Sequence, residues 1–168
     1  GIGSVLARRG AAAIRRWLPF PISERDLVHW LLNKMLRPHI PPANRDEVLI
    51  EQAVAREALA LALEALWDER PNAEHDLVIP GGGTLTHAPH PELAALTVLD
   101  ALQPTAAESV LALELHLDSL GLLGACGALA FAAPDAALTM FERDLMRNTP
   151  LATVVVALGD RRAGEPAL

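Results

Sequence analysis

Few residues in this chain have the types and spacing that do chemistry. His87 and His90 stand as His-x-x-His, a spacing that suits metal ligation when both imidazoles share one helix face. Pro89 lies between them, so the segment reads as a turn, and no third ligand accompanies the pair. Cys126 is the sole cysteine and sits among small apolar residues, a setting for a buried thiol rather than a nucleophile. Ser119 lacks the glycines of a nucleophile elbow. No acid, base and nucleophile come together, so no residue is assigned a catalytic role and none a metal. What remains is the run Gly81, Gly82, Gly83, Thr84, which is neither a GxxxxGK[ST] phosphate loop nor a full dinucleotide fingerprint. Three glycines let a flat ring or a phosphate approach the main chain without meeting a Cβ. The competing reading is a turn that needs positive φ.

Those glycines have to be held by the elements around them. Residues 77–79 read as a short apolar strand and residues 91–102 as a helix, with the glycine turn at the strand's carboxyl end. Open α/β sheets bind ligands there, because backbone amides are free and a helix N-terminus faces the crevice. Residues 109–117 alternate as a strand with one buried face, and 151–158 form a β-branched run expected to be a buried strand. These three strands are expected to share one mixed sheet with flanking helices, the helix of residues 46–67 lying against a face. That helix places Leu49, Ala53, Ala60, Leu63 and Trp67 on one side, and its Glu51, Arg56 and Glu57 read as exposed pairs. Upstream, residues 4–18 form a helix weakened by Gly10, with Arg8, Arg9, Arg15 and Arg16 as a solvated face. Pro19 and Pro21 stop it. Ser23 then caps a second helix that runs to Pro38, with Lys34 solvated near its end. Residues 119–132 fit either a close-packed helix or a glycine-rich loop, and residues 134–146 form a helix begun by Pro134.

Composition narrows the class. The chain has 168 residues, 51% of them hydrophobic, which suits one globular domain and excludes disorder. A formal net charge of −7 argues against a nucleic-acid surface. A single cysteine permits no internal disulfide, and no apolar run is long enough to span a bilayer. The expected setting is cytoplasmic, without membrane or nucleic-acid partners. The sequence opens Gly-Ile-Gly in mid-pattern and ends on a polar tail over 159–168, which reads as a piece of a longer protein.

Order and spacing of several blocks carry a resemblance. They are Arg16-Trp17-Leu18-Pro19, Asn33-Lys34 followed by Pro38, Glu51-Gln52-Ala53 with Ala55-Arg56-Glu57-Ala58, and the glycine stretch through Leu99-Asp100-Ala101-Leu102-Gln103-Pro104. Leu120-Gly121-Leu122-Leu123-Gly124, Phe141-Glu142-Arg143-Asp144 and Gly164-Glu165-Pro166-Ala167-Leu168 continue the series. Together they resemble the MutL-type accessory protein of adenosylcobalamin-dependent glutamate mutase, which is unrelated to the mismatch-repair protein of the same letters. The family looks like a branch of the superfamily of actin, sugar kinases and seventy-kilodalton heat-shock chaperones.

The resemblance implies an α/β fold, the C-terminal lobe of an actin-like ATPase, in which a strand, paired glycines, a loop with proline and a helix form an adenosine motif. Gly82 and Gly83 with Pro89 match that motif, so Gly81, Gly82, Gly83 and Thr84 become the expected ATP contacts. No Asp-x-Gly-Thr-like phosphate loop occurs here, so magnesium and the phosphates would be handled by a missing N-terminal lobe. The implied function is an ATP-dependent reactivating or chaperone-like partner of cobalamin mutase subunits, with ATPase activity only when both lobes are present. The alternative is a non-catalytic interaction module that keeps the fold without nucleotide binding. A small-molecule kinase ranks last, since no phosphoryl-transfer base is in evidence.

Overall fold

The computed structural model describes residues 1–69, 76–103, 112–147 and 149–155. The chain divides into two compact units: Gly1–Asn72 with Leu96–Leu102, and Ala73–Ala95 with Gln103–Leu168.

The first unit is helical. Helix α1 (Ile2–Arg15) is broken at Gly10, whose φ of 75° and ψ of 169° lie outside helical space, so the weak point expected there is a kink that only glycine adopts easily. Prolines separate it from α2 (Glu24–Leu36). Ser23 caps α2 as its sequence position predicts: its side chain accepts from the Asp26 amide, satisfying one of the first-turn donors. Helix α3 (Arg45–Glu69) follows, with Asp46 and Glu47 in its first turn. Val5, Ile14, Leu27, Leu31 and Ala53 are fully enclosed where these three helices meet.

The buried face of α3 differs from the expected one. Ile50, Ala53, Val54, Glu57 and Leu61 are buried, at spacings of three and four, whereas Leu49, Leu63 and Trp67 are only half-buried. An alanine-rich helix offers more than one apolar face, and the choice was made by a carboxylate that hydropathy discounts. Helix α3 belongs to the first unit and packs there on α1.

The second unit holds the sheet. Strands β1 (Leu77–Val78), β2 (Ala112–His116) and β3 (Pro150–Val155) lie in that order, with β1 parallel to β2 and β2 antiparallel to β3. All three expected strands therefore share one mixed sheet; the outer ends of the expected ranges, 109–111 and 156–158, lie outside the described residues. Pairing sets Leu113 opposite Val154 and Glu114 opposite Thr153, and Leu113 and Leu115 point to the buried side, at 1% and 0% exposure. A register shift between Leu115 and His116 ends the regular ladder. Between β1 and β2 run a four-residue helix, α4 (Gly83–Thr86), and α5 (Pro91–Leu102), the latter at the expected bounds.

Residues 119–132 resolve as a helix, α6 (Leu122–Ala130), with Cys126 its buried member. Helix α7 (Pro134–Met140) starts with Pro134 in its first turn and widens into a π-helical turn, Phe141–Met146, where a uniform α-helix was expected. Thr149 returns the chain to the sheet: its hydroxyl donates to Leu145 O and its carbonyl accepts from the Leu117 amide. Among the described residues no helix is long and apolar enough to cross a membrane.

Candidate functional site: the glycine turn

Strand β1 leaves the sheet at Pro80, whose carbonyl accepts from the Asp118 amide at 3.0 Å. This bond ties the exit of β1 to the exit of β2, so the glycines that follow are anchored at their base. Gly82 has φ 96° and ψ 146°, a region nearly closed to residues with a Cβ. Its carbonyl then accepts from the Leu85 and Thr86 amides, and the Thr86 hydroxyl lies 3.2 Å from the same oxygen. Glycine at this position is required by the turn itself.

Gly81 and Gly83 are different. Neither lies in the left-handed region. A Cβ at Gly81 would meet nothing closer than Asp118 Cβ at 3.8 Å, and one at Gly83 only His87 Nδ1 at 3.9 Å. Both distances are ordinary van der Waals contact. Neither backbone conformation nor internal packing calls for glycine at these two positions, and all three glycines are exposed. The amides of Gly81, Gly82, Gly83 and Thr84 have no hydrogen-bond partner among the described residues. Chemically the turn is a bare stretch of main chain with free donors, fit for a flat or polar group at close range.

Neighbouring polar groups are already engaged. Asp118, 6% exposed, accepts from the Leu122 amide at 2.7 Å and the Leu123 amide at 3.1 Å. It caps α6, whose N-cap residue Gly121 has no side chain to do so. His87 Nδ1 lies 3.1 Å from both Thr86 Oγ1 and Gly83 O, so that nitrogen serves the turn. His90 is exposed. Among the described residues no group of three His, Cys, Asp or Glu side chains is placed to hold a metal ion.

In the first unit, sequence reasoning missed a set of ion pairs. Glu57 is 1% exposed. Its Oε1 accepts from Arg16 and from the Trp17 indole, both at 2.8 Å, and its Oε2 lies 3.6 Å from Arg9 Nε. The Arg16 and Arg56 guanidiniums sit 4.9 and 5.3 Å from the centre of the Trp17 ring. Arg56 pairs with Asp100 at 2.6 Å, and Lys34 pairs with Glu51 and donates to Ile40 O. The expected exposed helix pairs and solvated lysine are thus fastenings that join α1, α2, α3 and the end of α5. The available signal was the near-coincidence of Arg16-Trp17 and Arg56-Glu57 among the blocks of resemblance; residue type alone does not reveal a partner 40 positions away.

The model of the MutL protein family matches residues 1–145. The chain belongs to that family. The match spans both the ion-pair cluster and the glycine turn, the two features built above, and it carries the family assignment alone. No curated protein and no solved structure matches the chain.

Proposed function

We propose that this chain is the adenosine-binding half of an ATP-dependent accessory protein that serves an adenosylcobalamin-dependent glutamate mutase. Membership of the MutL family supports the accessory role. The observation that carries the nucleotide reading is the contrast within the glycine turn. Gly82 is explained by its φ, whereas Gly81 and Gly83 have room for a Cβ and conventional backbone angles. A purine resting on the main chain accounts for the missing side chains. The strand, turn, proline and helix order from β1 to α5 fits the adenosine motif of actin-like ATPases, and we place this chain as the C-terminal lobe of such a protein.

ATP, when bound, supplies the phosphoanhydride whose cleavage separates two states of the protein. This chain's residues would hold the adenosine side: Gly81 and Gly83 by shape, and the free amides of the turn by polar contact. Asp100 is committed to Arg56 and Asp118 to the α6 amides, and among the described residues no group of three His, Cys, Asp or Glu could hold a metal ion, so magnesium and water activation would fall to groups of a preceding lobe. Differential affinity of the two nucleotide states for the mutase would then release damaged cofactor.

The test is recovery of mutase turnover after inactivation, with the full-length protein present and ATP supplied or withheld. Recovery that depends on both is expected. Recovery without ATP, or none with it, would overturn the ATP-dependent reading and favour an interaction module.

A further inference from the structure

The end of α2 and the loop leading to α3 form a groove of about 450 Å³, with Trp30, Leu36, Ile40 and Pro41 as its apolar lining and Asn33 and Arg37 as polar members. Leu36 is 80% exposed, and Leu32, Met35 and Ile40 are each more than 40% exposed. Large apolar side chains left this far in water mark a surface that something covers.

Charge says what kind of partner fits. The chain carries −7 overall, yet residues 27–45 contain Lys34, Arg37 and Arg45 and no acidic residue. Lys34 is spent on Glu51 and Ile40 O. That linkage holds the loop against α2 and gives the groove its shape. Glu47, the acid in the lining, accepts from the Ala43 amide. Arg37 and Arg45 have no ion-pair partner among the described residues. An exposed apolar strip beside the unpaired Arg37 guanidinium complements a segment with apolar side chains on one face and a carboxylate beside them.

We propose that this groove docks an acidic, amphipathic segment of a protein partner, with Arg37 receiving a carboxylate and Leu36 and Ile40 covered by the partner's apolar face. A membrane fits less well, since the site is concave and surface attraction to anionic lipid takes four or more clustered cations. The choice of the mutase as first partner rests on the function proposed above; the groove's chemistry does not.

Two titrations of the full-length protein test this. In the first, purified glutamate mutase is titrated against the parent protein, Arg37→Glu and Leu36→Ser. Each substitution is expected to weaken binding roughly tenfold or more, with the thermal midpoint and ATP affinity unchanged. Unaltered mutase binding by both variants would overturn the proposal while leaving the accessory function intact. In the second, the probe is a synthetic helical peptide with Leu at positions i, i+3, i+4 and i+7 and Glu elsewhere. It should shift the Trp30 indole resonance in the parent protein and fail to do so in Arg37→Glu. If the mutase does not bind even the parent protein but the peptide does, the mutase assignment fails and the groove stands. If the peptide leaves Trp30 unmoved, or phosphatidylserine-rich vesicles bind through Arg37 where the peptide does not, the groove is not a peptide dock.

Discussion

Substitutions at Gly82 and Gly83 are expected to do opposite things, although the two residues are adjacent and both exposed. At Gly82, φ of 96° with ψ of 146° is open almost only to glycine, so Gly82→Ala should cost about 1–3 kcal/mol of stability. At roughly 2–4 °C per kcal/mol for a chain of this size, the thermal midpoint should fall by about 2–12 °C. Gly83 opens α4 with ordinary helical geometry and 3.9 Å of clearance to His87 Nδ1. Valine tolerates a helix better than glycine does, so Gly83→Val should leave the midpoint within about 2 °C, the equivalent of some 0.5 kcal/mol. A purine in contact with that backbone, however, would meet two new methyl groups. Overpacking of this sort costs about 1–3 kcal/mol, so ATP affinity should drop roughly tenfold or more. The assay is thermal midpoint and ATP affinity on one preparation of the full-length protein, held below its melting range. Gly83→Val with parental affinity and midpoint would remove the purine from this turn. Gly83→Val with a midpoint lowered as far as that of Gly82→Ala would show that both glycines serve the backbone.

Other expectations follow from groups that are already paired. Glu57→Gln keeps an oxygen for the Trp17 indole but loses the charge facing Arg9 and Arg16; because both arginines reach solvent, at 30% and 60% side-chain exposure, the cost should be about 1–2 kcal/mol in chemical denaturation. Glu57→Ala should cost more, and a glutamine variant as stable as the parent would show that the charge cluster contributes nothing. Asp118→Ala strips the α6 amides of their acceptors and should cost roughly 1–2 kcal/mol, with Asp118→Asn intermediate; equal stability of Ala and Asn would mean that the carboxamide oxygen does not replace the cap. The isolated chain should show no magnesium-dependent ATP turnover, since among the described residues no group of three His, Cys, Asp or Glu could hold the metal. Turnover by purified material free of other ATPases would contradict that.

Local punctuation was the legible part of the sequence. Prolines at 19 and 21, the Ser23 cap, and the Pro91 start and Leu102 end of α5 are all where the sequence puts them, because caps and breakers act over three or four residues. The three strands were legible as strands, from β-branching and alternation, but the burial expected of the β-branched run was not: no described residue of β3 is buried, and Val155 is 75% exposed. The face of α3 was not. Hydropathy scores Glu57 as polar, and only the arrival of Arg9 from α1, and of Arg16 and Trp17 just past its end, makes its burial tolerable. The same limit hid Lys34–Glu51 and Arg56–Asp100. At the candidate site, the sequence presents three glycines as one feature. Only dihedral angles and clearances separate Gly82, which the turn needs, from Gly81 and Gly83, which it does not.

The most direct measurement of the central claim is photolabelling of the full-length protein with an ATP analogue bearing an azide on the adenine ring, followed by mapping of the modified peptide. Label is expected on the segment that contains Gly81, Gly82, Gly83 and Thr84, abolished by excess ATP and strongly reduced in Gly83→Val. Label that ATP displaces but that maps wholly outside this segment would contradict it.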